Sequence, residues 1–462
     1  MSDNGDDDYL DEGIKEKRYI VDKSALLKLF KVCPEPKCGS VIDPDDIIVR
    51  SEGAAVIVKG ICLNNHDFSW ASSLTAGEGR EKMYIINILL AAFTLFCGLN
   101  ISQVIELFNH LNLACIQRTL FFKFQSEYLH PIVWMSWCHA QKTEVDQLKE
   151  FKEDGGTVAV AGDGKFDSPG WAAKHCTYVI QSLLTKKIIG IWVAEKSMVT
   201  SSSKMEPLAA KTLLVNLATE HGLVIDTITT DRSSDLKIMM NSLHQDLPDD
   251  YPKIHHEYDV WHWIKSVQKD LWAAGKLVSC TELVPWFSSI TNMCWWSFSS
   301  SIGNVVMLKE KLGSITEHMC NIHNFPENTE HASCSHGNLE GDRGKAWLDP
   351  DSLAITKVKN ALHGYQNSRW KDLDMMGQFT HTGEIENFNS LTNKYCPKLY
   401  SYSHASMLVR TALAALDHNE NTDREQVCRF FLFLVYLHFI FVNSEIDQQR
   451  KRNVCPDQAP SW

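Results

Sequence analysis

The middle of the chain is a series of short apolar runs separated by polar turns, with apolar positions recurring every second residue. This pattern predicts three successive strands: Val158–Asp163, His175–Leu184 and Lys187–Ala194. The first run ends in Gly162-Asp163-Gly164 and therefore predicts a buried strand with a carboxylate at its C-terminal tip.

Helical and strand patterns then alternate. The predicted elements are a helix over Glu206–His221, a strand over Val224–Asp231, a helix from Ser233 through Ser242, a strand over Lys253–Tyr258 and a helix from Val260. Three strands, a helix, a strand, a helix and a strand are the order of an RNase H-like α/β sheet, in which the first and fourth strands are neighbours. Ligands of α/β sheets bind at the carboxyl ends of strands, so we expect Asp163 and Asp231 side by side.

The segments on either side of this core have helical patterns. Residues 80–153 are predicted to be helical, either as a helix-turn-helix DNA reader or, as the Phe-rich third helix favours, as a packing hairpin. Residues 263–380 are Trp-rich and predict a helical insertion. Thr382-Gly383 starts a helix that carries Glu384 and Glu386, which lie two residues apart and cannot share a helix face.

Two groups of Cys and His have the spacing of metal ligands. Near the N-terminus, Cys33-x4-Cys38 and Cys62-x3-His66 flank a β-like segment, and tetrahedral zinc is favoured over buried thiols. In the insertion, Cys320-x2-His323 and Cys334-x-His336 lie close to His318 and His331, and they are either a second zinc site or scattered residues. The ligands expected for that second site are His318, His323, Cys334 and His336.

Composition narrows the possible classes of function. The 462 residues are 44% hydrophobic and 22% charged, as in globular proteins, and the 14 cysteines without a secretory signal indicate a reducing compartment. The net charge of −12 disfavours a simple nucleic-acid binder, but half of it comes from six acids in the first twelve residues. DNA contact would therefore need local basic patches, and the candidates are Lys165, Lys394, Lys398 and Arg410.

Three carboxylates on separate predicted elements suggest a common chemistry. Asp163, Asp231 and Glu386, with Glu384 as the alternative third acid, fit a two-metal phosphoryl-transfer site. Carboxylate oxygens are the ligands that Mg²⁺ or Mn²⁺ prefers.

Several blocks together resemble Kolobok-type cut-and-paste transposases. They are GDGKFDSPG, TTDRSSDLK, YDVWHW, HTGEIENFNSLTNKYCPK, ALAALDHN and the N-terminal CLNNHDFSWASS, and they extend over roughly residues 30–425. The resemblance implies an RNase H-like fold with a DDE triad, matched here by Asp163, Asp231 and Glu386. Asp259 and His262 match a D-x-x-H motif expected to order the DNA strand or the metals. Water and then a DNA 3′-hydroxyl would be the nucleophiles.

The expected organisation follows from these segments. It is an acidic disordered tail over 1–28, a zinc module over 29–76, a helical domain over 80–153, an RNase H-like core over 155–262 and 381–426 interrupted by the insertion 263–380, and a divergent tail over 427–462. We expect two Mg²⁺ or Mn²⁺ ions, Zn²⁺, transposon-end DNA, a homo-oligomer and a nuclear location.

The C-terminal tail departs from the family pattern. Its apolar run Arg429–Val442 is short for a membrane span, so no membrane partner is expected. This departure keeps open a second interpretation, a domesticated or decayed relative that binds DNA or protein without catalysis.

Overall fold

The computed structural model describes residues 16–77, 82–168, 172–337, 345–380 and 382–422. Most of the predicted acidic tail and the apolar run Arg429–Val442 lie outside these residues. Within them the strands are β1 Ile47–Glu52, β2 Ala55–Ile61, β3 Asp67–Ala71, β4 Thr75–Ala76, β5 Met83–Tyr84, β6 Ala159–Phe166, β7 His175–Ser182, β8 Ile188–Glu195, β9 Thr227–Thr230 and β10 His255–Tyr258.

The helices follow the predicted order closely. Those of the described residues are α1 Lys23–Leu26, α2 Ile85–Phe96, α3 Ile101–His110, α4 Arg118–Phe124, α5 His130–Glu153, α6 Met205–Thr219, α7 Ser234–Ser242, α8 Val260–Gly275, α9 Phe287–Ser299, α10 Val305–Met319, α11 Leu353–His363, α12 Ser368–Asp372, α13 Gly383–Tyr395 and α14 His404–Asn421. None of them combines the length and the apolar character needed to cross a membrane.

The chain forms two compact units. One contains the described residues up to Ala140 and those from Leu391 onward, and the other is Gln141–Ser390. The first unit therefore includes α14, which lies in the segment that the sequence assigned to the end of the catalytic core.

The second unit is built on a mixed five-stranded sheet in the order β10-β9-β6-β7-β8. Strands β6, β9 and β10 are parallel, whereas β7 pairs antiparallel with both β6 and β8. Apolar residues of the strands pack with α6 and α7 into one core, which includes Val160, Ile180 and Leu213. A second core joins α8 to α11 around Trp286 and Leu312.

Local capping explains where several helices begin. Asn100 accepts a hydrogen bond from the backbone N–H of Ser102 at α3, and Ser233 accepts one from that of Leu236 at α7. Asp259 caps α8 in the same way through the N–H of Trp261. Each side chain uses an N–H that the helix leaves unpaired, so these helix starts were readable from the sequence.

The N-terminal module contains more strand than the sequence predicted. The expected β-like segment is β2, and β1 and β3 pair antiparallel on either side of it. Most side chains of β1 and β3 are exposed, so these strands lack the alternating apolar pattern that identifies a half-buried strand.

Candidate functional site

Asp163 and Asp231 lie at the same edge of the sheet of the second unit. The parallel pairing of β6 with β9 ends at Gly162 opposite Thr230, and each aspartate is the next residue of its chain. The expected position of Asp163 needs one correction, because β6 continues to Phe166 through its pairing with β7. Asp163 is therefore inside the strand, at the point where β9 has ended and the edge is open.

The Asp163 carboxylate is held by two donors and is short of compensating charge. It accepts hydrogen bonds from the backbone N–H of Gly164 at 2.8 Å and from Nδ2 of Asn389 at 2.6 Å. Burial and the nearby charge of Asp231 nevertheless raise the pKa of Asp163 to about 7.

His262 links the acids of this edge to one another. Its Nδ1 lies 2.5 Å from Oδ2 of Asp259 and 2.9 Å from Oδ1 of Asp231, and its Nε2 lies 3.2 Å from Oε1 of Glu386. Hydrogen bonds to Asp231 and then to Asp259 raise the pKa of His262 to about 10, so the ring is an imidazolium at neutral pH.

Asp259 is buried and fully engaged in hydrogen bonds. Besides His262, it accepts the hydroxyl of Thr382 at 2.6 Å and the N–H of Trp261 at 2.8 Å. Burial acts to raise its pKa, but the hydrogen bonds from His262, Thr382 and Trp261 outweigh it and the pKa is lowered. Asp259 thus orients the imidazolium and anchors the start of α13 through Thr382.

The structure separates the two glutamates of α13. Glu386 faces His262, and Asn389, one turn later on the same helix face, faces Asp163. Glu384 instead lies 3.5 Å from the ammonium of Lys186, in the turn between β7 and β8. Of the two, Glu386 is the acid that meets the carboxylate site, which is defined here as Asp163, Asp231, Glu386, Asp259 and His262.

Glu206 is a further acid beside Asp163 that was not predicted from the sequence. It lies in the first turn of α6, and its side chain occupies the space that a Cβ on Gly164 would fill, at 2.8 Å. Burial and the charges of Asp163, Asp231 and Asp235 raise the pKa of Glu206 to about 7. The only sequence signal was an acid in the first turn of a helix, which is common and unspecific.

The charge balance of this edge favours a divalent cation. Burial, and after it the charges of neighbouring acids, raises the pKa of both Asp163 and Glu206, and a bound cation would stabilise their charged forms. Asp231, Asp259 and His262 place one N or O atom each within 4.8 Å of one another, but the imidazolium of His262 has no lone pair to offer an ion. Since Asp259 is committed to hydrogen bonds, the acids available to an ion are Asp163, Asp231, Glu386 and Glu206.

The Cys and His residues of the N-terminal module converge as predicted by their spacing. Their ligand atoms lie within 4.8 Å of one another, and we call Cys33, Cys38, Cys62 and His66 the N-terminal cluster. The Sγ atoms of Cys38 and Cys62 are 3.9 Å apart, and Nδ1 of His66 is 3.2 Å from Sγ of Cys38. Tetrahedral zinc would require about 3.8 Å and about 3.6 Å for such pairs, so the four residues can hold a metal ion.

Local turns explain why this cluster forms. Lys37, Gly39 and Asn65 have positive φ angles, which turn the chain tightly at both ligand pairs. The pKa of Cys38 is lowered to about 6. The main cause is a hydrogen bond from the backbone N–H of Ser40, and a contact with His66 adds to it, although burial acts in the opposite direction. The thiolate that a metal needs is therefore favoured at this position.

The second Cys/His group is also brought together. His318, His323, Cys334 and His336 place their ligand atoms within 4.8 Å of one another, and we call them the hairpin cluster. Cys320 is not a member, because it packs against the apolar core of the helical part. His331 contacts Phe325 and Trp296 instead.

Two acids close in sequence to Asp163 and Asp231 have other structural roles. Asp167 accepts the N–H of Lys174 and lies 3.2 Å from the His175 ring, which stabilises the β6–β7 connection. Asp226 lies 2.6 Å from the ammonium of Lys152.

The four basic candidates for DNA contact have different surroundings. In the second unit, Lys165 donates to the carbonyl of Asn389 at 2.7 Å. In the first unit, Lys398 is exposed and Lys394 lies 3.1 Å from Asp417. Arg410 corrects the prediction: it is only 5% exposed, donates to the carbonyl of Tyr395 and stacks on Tyr402, so its guanidinium is a core group.

Comparison with known proteins gives the chain a family. No curated protein matches it. Among solved structures, it is similar to a chain of the Drosophila P element transposase strand transfer complex, with 12% sequence identity, a TM-score of 0.29, and coverage of 75% of this chain and 94% of that chain. The Mutator-like transposase family matches residues 61–339, which is more than half of the chain and includes Asp163, Asp231, Asp259 and His262. The chain therefore belongs to the Mutator-like transposase family.

Proposed function

We propose that this protein is a DDE enzyme that cuts and joins DNA strands by metal-dependent phosphoryl transfer. The observation that supports it best is the convergence at one sheet edge of Asp163, Asp231 and, through His262, Glu386. These acids come from a strand, from the end of a second strand and from a helix that follows a long insertion. Together they offer carboxylate oxygens, which are the ligands that divalent cations need.

The proposed ion ligands are Asp163, Asp231 and Glu386, with Glu206 close enough to share in the site. Two Mg²⁺ or Mn²⁺ ions bound there would supply the Lewis acidity that activates the attacking oxygen and stabilises the leaving oxygen. Burial and then the neighbouring acids raise the pKa values of Asp163 and Glu206, which agrees with a site whose acids outnumber the one imidazolium until cations bind.

The chain's own residues orient these ligands. Asn389 donates to one oxygen of Asp163 and fixes the rotation of its carboxylate. The imidazolium of His262 directs its Nδ1 proton toward Asp231 and Asp259 and its Nε2 proton toward Glu386. One ring therefore contacts acids from three separate parts of the chain. Buried Asp259 keeps that ring charged and in place.

In this proposal the substrate is transposon-end DNA. Water attacks a phosphodiester, breaks its P–O3′ bond and releases a 3′-hydroxyl. That hydroxyl then attacks a phosphodiester of the target strand and displaces the 3′-oxygen there, which leaves as a new 3′-hydroxyl. The sheet order and the family membership agree with an RNase H-like catalytic core. The assignment to the Kolobok type rests on the sequence blocks, and we also propose zinc in the N-terminal cluster, a homo-oligomer and a nuclear location.

Strand cleavage of a labelled duplex that carries transposon ends, in Mn²⁺, tests the proposed function. Wild type should cleave, and Asp231→Asn should lose at least about 10³-fold in rate, because the amide cannot replace a charged metal ligand. Asp249→Asn changes an exposed acid of the same unit and serves as the matched control. Cleavage by Asp231→Asn at the control's rate would contradict the proposal. DNA binding without cleavage by wild type would instead support the non-catalytic relative.

A further inference from the structure

The hairpin cluster is assembled by a helix end and the hairpin that follows it. Helix α10 ends at Met319, and Asn321, with a φ of 63°, reverses the chain immediately after it. Asn324 and Ser333 then pair as an antiparallel bridge, and the N–H of Cys334 donates to the carbonyl of His323 at 2.9 Å. Backbone pairing thus sets the two inner ligands opposite each other beside the last turn of the helix.

The distances between the ligand atoms are those of a tetrahedral zinc site. Nδ1 of His318 is 3.3 Å from Nε2 of His336 and 3.5 Å from Sγ of Cys334. Zinc with Zn–N bonds of about 2.0–2.1 Å and a Zn–S bond of about 2.3 Å separates such atoms by about 3.3 Å and about 3.6 Å at the tetrahedral angle. Two independent distances therefore agree with one ion position.

Hydrogen bonds outside the cluster orient two of its imidazoles. Nδ1 of His336 lies 2.8 Å from the carbonyl of Gly337, which leaves Nε2 to face the other ligands. Nε2 of His323 lies 3.0 Å from Oδ1 of Asn321, which directs Nδ1 of that ring to an ion. A backbone carbonyl or an amide oxygen that accepts the second ring N–H is the usual outer partner of a metal-bound histidine.

Aromatic side chains cover the cluster. The rings of Trp286 and Trp347 meet that of His318 edge-on at centroid distances of 6.1 and 5.7 Å, and Trp347 also meets His323 at 5.4 Å. An apolar cover of this kind limits access of water to a metal site.

The rest of the hairpin is tied to the same helix through Glu310. Its carboxylate accepts the backbone N–H groups of Thr329, Glu330 and His331 and the hydroxyl of Thr329, at 2.7–2.9 Å. The tip of the hairpin is therefore fixed by hydrogen bonds to a mid-helix acid, while its two ends meet at the hairpin cluster.

We propose that His318, His323, Cys334 and His336 bind one structural zinc ion that fastens the hairpin 323–336 to the end of α10. Three imidazoles and one thiolate form a closed set of four, and this borderline-soft ligand set suits zinc rather than Mg²⁺ or Mn²⁺. The site is separate from the carboxylate site and does not depend on the proposed strand transfer.

Metal content of the full-length chain tests this proposal. Elemental analysis should find one zinc ion fewer in the double variant Cys334→Ser, His336→Ala than in wild type. Cys320→Ser is the matched control, since that thiol lies two residues from His318 but outside the cluster, and it should keep the wild-type content. A double variant that holds as much zinc as wild type would overturn the proposal.

A second measurement leaves the hairpin residues unchanged, so it can be made even if the double variant fails to fold. In the metal-free triple variant Cys33→Ser, Cys38→Ser, Cys62→Ser, added Co²⁺ should give a tetrahedral visible spectrum with the thiolate charge-transfer band of a single sulfur; zinc is removed first because Co²⁺ does not displace it. Hydrogen exchange over residues 320–336 should slow when the ion is added. A triple variant that shows no tetrahedral Co²⁺ spectrum would contradict the proposed site.

Discussion

The carboxylate site and the N-terminal cluster differ in what holds their side chains in place. Asp163, Asp231 and Glu386 lie in β6, directly after β9 and in α13, in a unit whose sheet packs against an extensive apolar core that includes Val160, Ile228 and Leu213. The buried residues that pack together behind the N-terminal cluster are Cys33, Ile42 and Cys62, two of which belong to that cluster. Strand β2 of the same module also buries Ala55, Ile57 and Val58. The packed sheet therefore holds the carboxylates in place, whereas in the N-terminal module a bound metal ion would do much of the work of an apolar core.

This difference predicts opposite responses to metal. A carboxylate cluster forced together by its scaffold is strained without cations and keeps its fold when they leave. A module with so little core loses its structure with its metal. The predictions below test this contrast, from the largest effect to the smallest.

Removal of zinc should have its largest effect in the N-terminal module and should leave the sheet of the second unit unchanged. Structural zinc contributes on the order of 10 kcal/mol to the folding of small modules, so chelation should abolish amide protection over β1–β3. Hydrogen exchange with mass spectrometry should show strands β6–β9 unchanged. Equal loss of protection in β6–β9 would mean that the two regions do not differ in this way.

Loss of the imidazolium should have the next largest effect. His262→Gln should slow strand cleavage by roughly 10- to 100-fold, because Asp231 and Glu386 lose the residue that orients them. His244→Gln alters an exposed histidine of the same unit and should cleave at the wild-type rate. Single-turnover rates at pH 7–9 measure this, and His262 stays charged in that range. A His262→Gln rate within twofold of wild type would mean that the contacts of His262 with Asp231 and Glu386 are not needed for cleavage.

The strain at Asp163 should appear as a pH-dependent gain of stability on substitution. Its pKa in the folded protein is about 7, above the ordinary 3.8, so the stability contributed by its bound proton is complete below about pH 4 and is lost as pH rises through 7. Asn cannot be deprotonated, so the variant Asp163→Asn does not lose this stability as the pH rises. In EDTA at pH 8 the variant should be more stable than wild type by about 1–2 kcal/mol, a discounted value because the site is partly open to solvent.

Denaturant midpoints at pH 4 and pH 8 give the readout for Asp163→Asn. The gain should disappear at pH 4, and Mn²⁺ should stabilise wild type more than the variant at pH 8. An Asp163→Asn protein that is less stable than wild type in EDTA at pH 8 would show that the carboxylate is not strained.

The smallest effect concerns which unit holds DNA. Lys394 and Lys398 belong to the unit of the N-terminal cluster, and both are exposed, although Lys394 is paired with Asp417. Replacing both with Ala should reduce the slope of log affinity against log salt by about one to two units. Filter binding between 50 and 200 mM salt measures it, and an unchanged slope would assign DNA contact to other residues.

The sequence predicted the elements of the sheet because their signals are local. Period-two apolar runs and the caps Asn100 and Ser233 act within a few residues, and the structure has helices and strands where they were expected. The spacing of Cys and His likewise predicted the N-terminal cluster, since pairs in turns can meet a second pair nearby, whereas for the hairpin cluster it left a zinc site and scattered residues equally open.

The misses arose where tertiary packing decides the outcome. Glu206 reaches the site only because Gly164 leaves room beside Asp163. The extension of β6 past Asp163 depends on pairing with β7, and the burial of Arg410 depends on the carbonyl of Tyr395 and the ring of Tyr402. None of these contacts leaves a pattern in the local sequence.

Strand cleavage by Glu386→Gln beside Glu384→Gln tests the carboxylate site most directly. The two substitutions are chemically identical, lie two residues apart in the first turn of α13 and affect side chains of similar exposure. Glu386→Gln should lose at least about 10³-fold in Mn²⁺-dependent cleavage, whereas Glu384→Gln, which loses only its contact with Lys186, should stay within a few-fold of wild type. The reverse order, or equal activity of the two variants, would contradict it.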